Sequence, residues 1–213
     1  MKTHKTPEKS YDLERLIFFS DGVFAIAITL LVIELRLPEH WDGSWGMLVE
    51  GLGAKIVCYA ISFCALSAFW TAHRFIFRHV EKFSEPASLL NLLFLLTMSL
   101  VPFANAMLVD HVTMTVTIDI YIALVIAAST CMAAMWGYLA LLTPSINPSI
   151  GRIARWIVFG RLLLMPPILS IGSIWLGRHF GPWVAVACTV AAAAVASRLK
   201  APPIPDKPEV KEL

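Results

Sequence analysis

Residues Arg15 to Leu35 read RLIFFSDGVFAIAITLLVIEL, an apolar stretch of membrane length that carries Arg15, Ser20 and Asp21 toward one end. A bilayer span needs about 20 apolar residues, and ionisable groups inside one are costly enough to mark a packed polar network or a substrate path. From Gly22 to Ile33 the stretch holds only Gly, Val, Phe, Ala, Ile, Thr and Leu. It predicts a helix with a polar anchor at one end and an apolar lining face along the rest.

The whole chain agrees on the solvent. Of 213 residues, 58% are apolar and 15% charged, against roughly 45–50% and about 25% in soluble domains, and mean hydropathy is +0.72. A formal net charge of +2, with no Lys/Arg block interleaved with aromatics, excludes the electrostatic footprint of a nucleic-acid binder. Cys58, Cys64, Cys131 and Cys188 sit in apolar runs without metal-site spacing, so they read as small packing residues and no disulfide is expected. Residues 1–14 are polar and the apolar run after them is too long for a signal-peptide core, so no cleavable leader is expected.

Six stretches qualify as spans, at 16–37, 47–72, 87–109, 118–142, 156–176 and 181–198. The fifth contains Arg161 and Pro166-Pro167, which predicts a kink, because proline removes a donor and clashes with the preceding turn. Ser84-Glu85-Pro86 reads as the N-cap and first turn of the third span. Thr143-Pro144 and Asn147-Pro148 separate the fourth from the fifth.

Cations gather in alternate connections. Lys2, Lys5, Lys9 and Arg15 precede the first span, and Arg74, Arg78 and Lys82 link the second to the third. Arg152 and Arg155 link the fourth to the fifth, and Arg198, Lys200, Lys207 and Lys211 follow the sixth. The positive-inside rule then puts both termini in the cytoplasm of a multi-pass cell-membrane protein. The fold class expected is all-α integral membrane: residues 1–199 form one six-helix transmembrane domain, and the proline-rich residues 200–213 a disordered cytoplasmic tail.

Ser20 and Asp21, Trp70 and His73, and Asn91 fall at one depth, near the cytoplasmic ends of three consecutive spans. An Asp, a His, an Asn and an indole N–H can satisfy one another there. The group reads as a structural or gating network, as a proton-handling pair of Asp21 and His73, or as an acid–base pair. No nucleophile motif, HExxH, Gly-rich phosphate loop or second clustered carboxylate accompanies it, which argues against an enzyme. At 100° per residue, Phe19, Gly22, Ile26, Leu30 and Ile33 share a stripe, with Thr29 at its edge and Asp21 about 140° from Ile26. Such a stripe suits lipid, ordinary packing or, with several copies around an axis, a pore.

These residues resemble a known family. Arg15-xxx-Phe19-Ser20-Asp21 reproduces the RxxxFSD signature of the first helix of the transmembrane protein 175 potassium channels, and GVFAIAITLL, Trp70-xx-His73 and Asn91 extend the similarity. The resemblance implies a homotetramer of six-helix subunits whose first helix lines a central pore, with no TVGYG filter; this chain contains no TVGYG. It implies that Ile26, Leu30 and Ile33 form a hydrophobic constriction, and that Thr29 bears on cation preference, with permeant potassium passing near Ile26 and Thr29. Arg15, Ser20, Asp21, Trp70, His73 and Asn91 would be the network holding pore helices in register. Arg74 departs from the pattern, since many relatives carry a second histidine there. The expected function is therefore a potassium-permeable cation channel that associates with itself and with lipid, using no cofactor. The alternative is a proton-coupled membrane transporter using Asp21 and His73.

Overall fold

In a computed structural model of the chain, the polar residues ahead of Arg15 are already helical: α1 spans Glu8–Leu30 and tightens into a 3-10 turn at Leu31–Glu34. Four further helices are α2 (Trp45–Arg78), α3 (Glu85–Asp110), α4 (Thr115–Gly137), which passes into a π segment at Tyr138–Leu142, and α5 (Arg152–Phe180). The structure describes residues 8–38, 40–80, 84–111, 114–143, 145–148 and 150–180. Five of its helices are long and apolar enough to cross a membrane. The sixth expected span, 181–198, and the tail at 200–213 lie outside the described residues.

Several boundaries differ from the expectation, mostly toward longer helices; the exception is the far end of the first span, which stops at Glu34 and not at 37. Arg74 and Arg78 lie on the last turns of α2, not in a connection, and Arg152 and Arg155 lie on the first turn of α5. Arg, Lys and Glu are good helix formers, so the backbone continues as helix after the apolar pattern has stopped. α5 also runs unbroken through Pro166 and Pro167, as α3 does through Pro102. Ser84 is the N-cap of α3 as expected, but its hydroxyl makes no cap bond and donates instead to Tyr138 Oη at 3.3 Å.

The turn between α1 and α2 is built from local bonds. Asp42 Oδ1 accepts the Ser44 N–H at 2.8 Å, and Ser44 Oγ accepts the Met47 N–H at 3.3 Å, capping α2. Gly43 between them has φ +85°, a left-handed conformation that glycine adopts without steric cost. Gly51 lets Pro38 lie flat on α2, since a Cβ there would come within 2.5 Å of Pro38 Cγ.

α3 is the central helix, packing against α1, α2 and α4, with α5 on the far side of α4. Phe24, Leu66, Phe94, Met98, Met132 and Trp136 are among the fully buried residues of the shared core. At the end where α2 and α4 finish, a clasp joins the connections. Asn147 N–H donates to His79 O at 3.1 Å, and Arg155 donates from Nη1 to Ala140 O at 2.8 Å and from Nε to Ile150 O at 2.9 Å. A π segment leaves backbone carbonyls out of the usual i→i+4 register, and Arg155 supplies a donor to one of them.

Candidate functional site

Ser20 and Asp21 are adjacent on α1, so their side chains diverge by about 100° and reach different neighbours. Asp21 Oδ1 accepts the Trp70 Nε1–H of α2 at 2.8 Å. Ser20 turns to α3, where its Oγ accepts from Asn91 Nδ2 at 3.0 Å and donates to Leu16 O at 2.8 Å. The other end of the Asn91 amide, Oδ1, meets His73 Nε2 at 2.8 Å. The directions form one consistent chain, in which His73 Nε2–H donates to Asn91, Asn91 to Ser20 and Ser20 to a backbone carbonyl. Ser20 and Asn91 are wholly buried and His73 nearly so.

Aromatic rings close around His73. Phe77 lies 4.5 Å from it between centroids, Phe94 stacks on it at 5.9 Å with planes 13° apart, and Phe24 meets it edge-on at 5.8 Å. A hydrogen bond in such a dry cage is electrostatically stronger than in water, and an unpaired group there is correspondingly costly. Arg15 stands apart from this chain: its guanidinium lies 5.6 Å over the Tyr11 ring, and among the described residues no hydrogen bond joins it to Asp21. No group of His, Cys, Asp and Glu among the described residues has the geometry to hold a metal ion.

The opposite face of α1 is bare. Ser20, Phe24, Ala27 and Leu31 are buried against the bundle, whereas Ile26 is 61% exposed, Leu30 41% and Ile33 53%. Phe19, Gly22 and Thr29 lie on the same exposed side. Thr29 Oγ1 donates to Ile26 O at 2.9 Å, so its oxygen lone pairs remain available. Leu30 ends the α-helix, and from Leu31 the turn is 3-10, where side chains three apart eclipse. Ile33 therefore stacks directly beyond Leu30, closer in angle than a continuous α-helix would place it.

Three features escaped the sequence reading. Arg74 sits with its guanidinium 4.6 Å over the Trp70 ring, on the indole that donates to Asp21. Ser62, Asn105 and Tyr121 form a second buried cluster: Ser62 Oγ donates to Asn105 Oδ1 at 2.9 Å and lies 3.1 Å from Tyr121 Oη. Arg155 ties the π segment to α5. An asparagine inside an apolar span was the available signal for the second cluster; Arg74 had only its spacing of four from Trp70, and Arg155 had none.

Residues 15–102, which hold most of α1, all of α2 and most of α3, match the family described as "Endosomal/lysosomal potassium channel TMEM175". A potassium channel of Streptomyces collinus is 32% identical over 152 residues, covering 66% of this chain and 73% of that protein. The endosomal/lysosomal proton channel TMEM175 of Mus musculus is 26% identical over 181 residues, covering 80% of this chain and 36% of the mouse protein. The crystal structure of a lysosomal potassium-selective channel TMEM175 homolog from Chamaesiphon minutus superposes with a TM-score of 0.67 at 25% identity, covering 88% of this chain and 97% of that one.

Proposed function

The chain belongs to the TMEM175 family of membrane channels, and from that premise we propose that it forms a potassium-permeable pore lined by α1. Residues 1–199 supply a six-helix subunit, four copies surround the pore axis, and residues 200–213 form a cytoplasmic tail. Both termini face the cytoplasm, and the protein resides in the cell membrane. The observation that carries the reading is the division of α1 into two faces, one tied to α2 and α3 by Asp21 and Ser20, the other bare at Ile26, Leu30 and Ile33.

Four copies of that bare face around an axis give rings of branched apolar side chains. Such rings close a pore by expelling water, and a modest widening readmits it. Thr29 adds a ring of hydroxyl oxygens beside the Leu30 layer, which can replace part of the hydration shell of a potassium ion. The chain contains no TVGYG and no carboxylate between Asp21 and Glu34, so the preference for potassium over sodium is moderate. Ser20, Asp21, Trp70, His73 and Asn91 act as the framework that sets the rotation of α1, without Arg15, and no enzymatic step is involved.

Purified protein in a planar bilayer, with potassium on one side and sodium on the other, tests the reading. The expected result is a current whose reversal potential is displaced toward the potassium equilibrium. Absence of current, or flux that needs an opposing proton gradient, would overturn it. The second outcome would favour the other reading, a proton-coupled transporter using Asp21 and His73, which the proton-channel name of the mouse relative keeps in view.

A further inference from the structure

The Trp70 indole is engaged from two directions. Its Nε1–H donates to Asp21 Oδ1 at 2.8 Å, and the Arg74 guanidinium lies over its ring, 4.6 Å from the centroid. Both residues are on α2, four apart, and helical side chains lean toward the N-terminus, so Arg74 falls back over Trp70. A cation this close to an indole face is within the range of a cation–π contact, and indole is the best aromatic partner for one.

The two contacts act in the same sense. The cation draws electron density toward the ring face, which makes the N–H at the ring edge a better donor. The carboxylate of Asp21 receives that stronger bond. Among the described residues no direct ion pair joins Arg74 to Asp21, so the influence of the one on the other passes through the indole. Arg15, the cation of the signature motif, has its ring contact with Tyr11 instead. We propose that Arg74 is a positioning residue: through the Trp70 ring it strengthens the hydrogen bond that fixes the rotation of α1. Its role in conduction rests on the reading of α1 as the pore helix.

Arginine suits the position because Arg74 is exposed while its charge lies on an aromatic face. A planar, weakly hydrated guanidinium stacks there with less loss of hydration than an ammonium.

The test uses the full chain with ¹⁵N-labelled indoles, the Trp70 resonance being assigned from Trp70→Phe. In Arg74→Gln the Trp70 Nε1–H resonance should move upfield and its exchange with water should quicken roughly two- to five-fold, the scale of one exposed cation–π contact. Arg74→Lys, whose ammonium is more strongly hydrated, should restore only part of the shift. The Trp136 indole, which donates to Arg155 O at 2.9 Å, reports whether the fold is intact and should not move. An unchanged Trp70 resonance in Arg74→Gln, or an Arg74→Lys spectrum that matches Arg74→Gln, would overturn the proposal. Potassium current through the same variants separates the two readings. A shifted resonance with reduced current supports both, whereas a shifted resonance with unchanged current leaves the contact standing and removes its role in setting a pore helix.

Discussion

The cluster of Ser20, Asn91 and His73, with Asp21 and Trp70 beside it, contrasts with the cluster of Ser62, Asn105 and Tyr121. The first ties α1 to α2 and α3, and both ends of its asparagine amide are bonded. The second joins α2, α3 and α4 without touching α1, and its Asn105 Nδ2 has no partner among the described residues. Ser62 precedes His73 by eleven residues on one helix, so the two clusters are about 16 Å apart along α2. The difference divides the molecule mechanically. Through these clusters α2 and α3 are linked at both depths, whereas α1 is joined to them only at the first. Beyond Asp21 it is held by Phe24, Ala27 and Leu31, all apolar. Apolar contacts are non-directional, so that part of α1 can turn or shift without breaking a hydrogen bond.

The largest effect should come from breaking the first cluster at its middle. Asn91→Leu leaves both His73 Nε2 and Ser20 Oγ short of a partner, at about 1–3 kcal/mol for each buried group. We expect a thermal midpoint in detergent lowered more than by Asp21→Ala, Asn105→Leu or Thr29→Ala, with loss of assembly and current. Asp21→Ala follows, since it leaves the Trp70 N–H unpaired at a cost of about 1–3 kcal/mol; weakened assembly should be visible by size-exclusion chromatography. Should Asn91→Leu and Asp21→Ala both behave as wild type, the cluster holds nothing together.

Asn105→Leu should cost less, within about 1 kcal/mol. Half of that amide is already unpaired, and Ser62 keeps Tyr121 Oη as a partner. A destabilisation equal to that of Asn91→Leu would erase the contrast between the clusters. Thr29→Ala should change stability least, by no more than about 0.5 kcal/mol, because the residue is exposed and bonds only within its own helix. It should instead lower the preference for potassium in a bi-ionic reversal potential. An unchanged potential would put discrimination elsewhere, with Glu34 the next position to alter.

The parts legible in the sequence were those written in periodicity and in costly residue types. An aspartate and a histidine in apolar helices cannot be neutral choices, so Asp21 and His73 mark the site by residue type alone. The bare stripe of Ile26, Leu30 and Ile33 followed from 100° per residue. Helix ends were less legible, because Arg74, Arg78, Arg152 and Arg155 read as loop charges while their backbones are helical. The 3-10 turn at Leu31–Glu34 and the π segment at Tyr138–Leu142 left no pattern, since each depends on tertiary packing more than on residue type. Arg74 over Trp70 was hidden for a related reason. Its spacing of four was visible, but an arginine at that spacing can cover a ring or extend into solvent, and residue type alone does not choose between them.

The most direct test of the bare face of α1 as a pore lining is thiol accessibility at Ile26. In a chain whose own four cysteines are replaced by alanine, Ile26→Cys should react with a charged, membrane-impermeant thiol reagent, and the potassium current across a planar bilayer should fall as it reacts. Reaction with only a lipid-soluble reagent, at constant current, would place Ile26 against lipid and contradict the account.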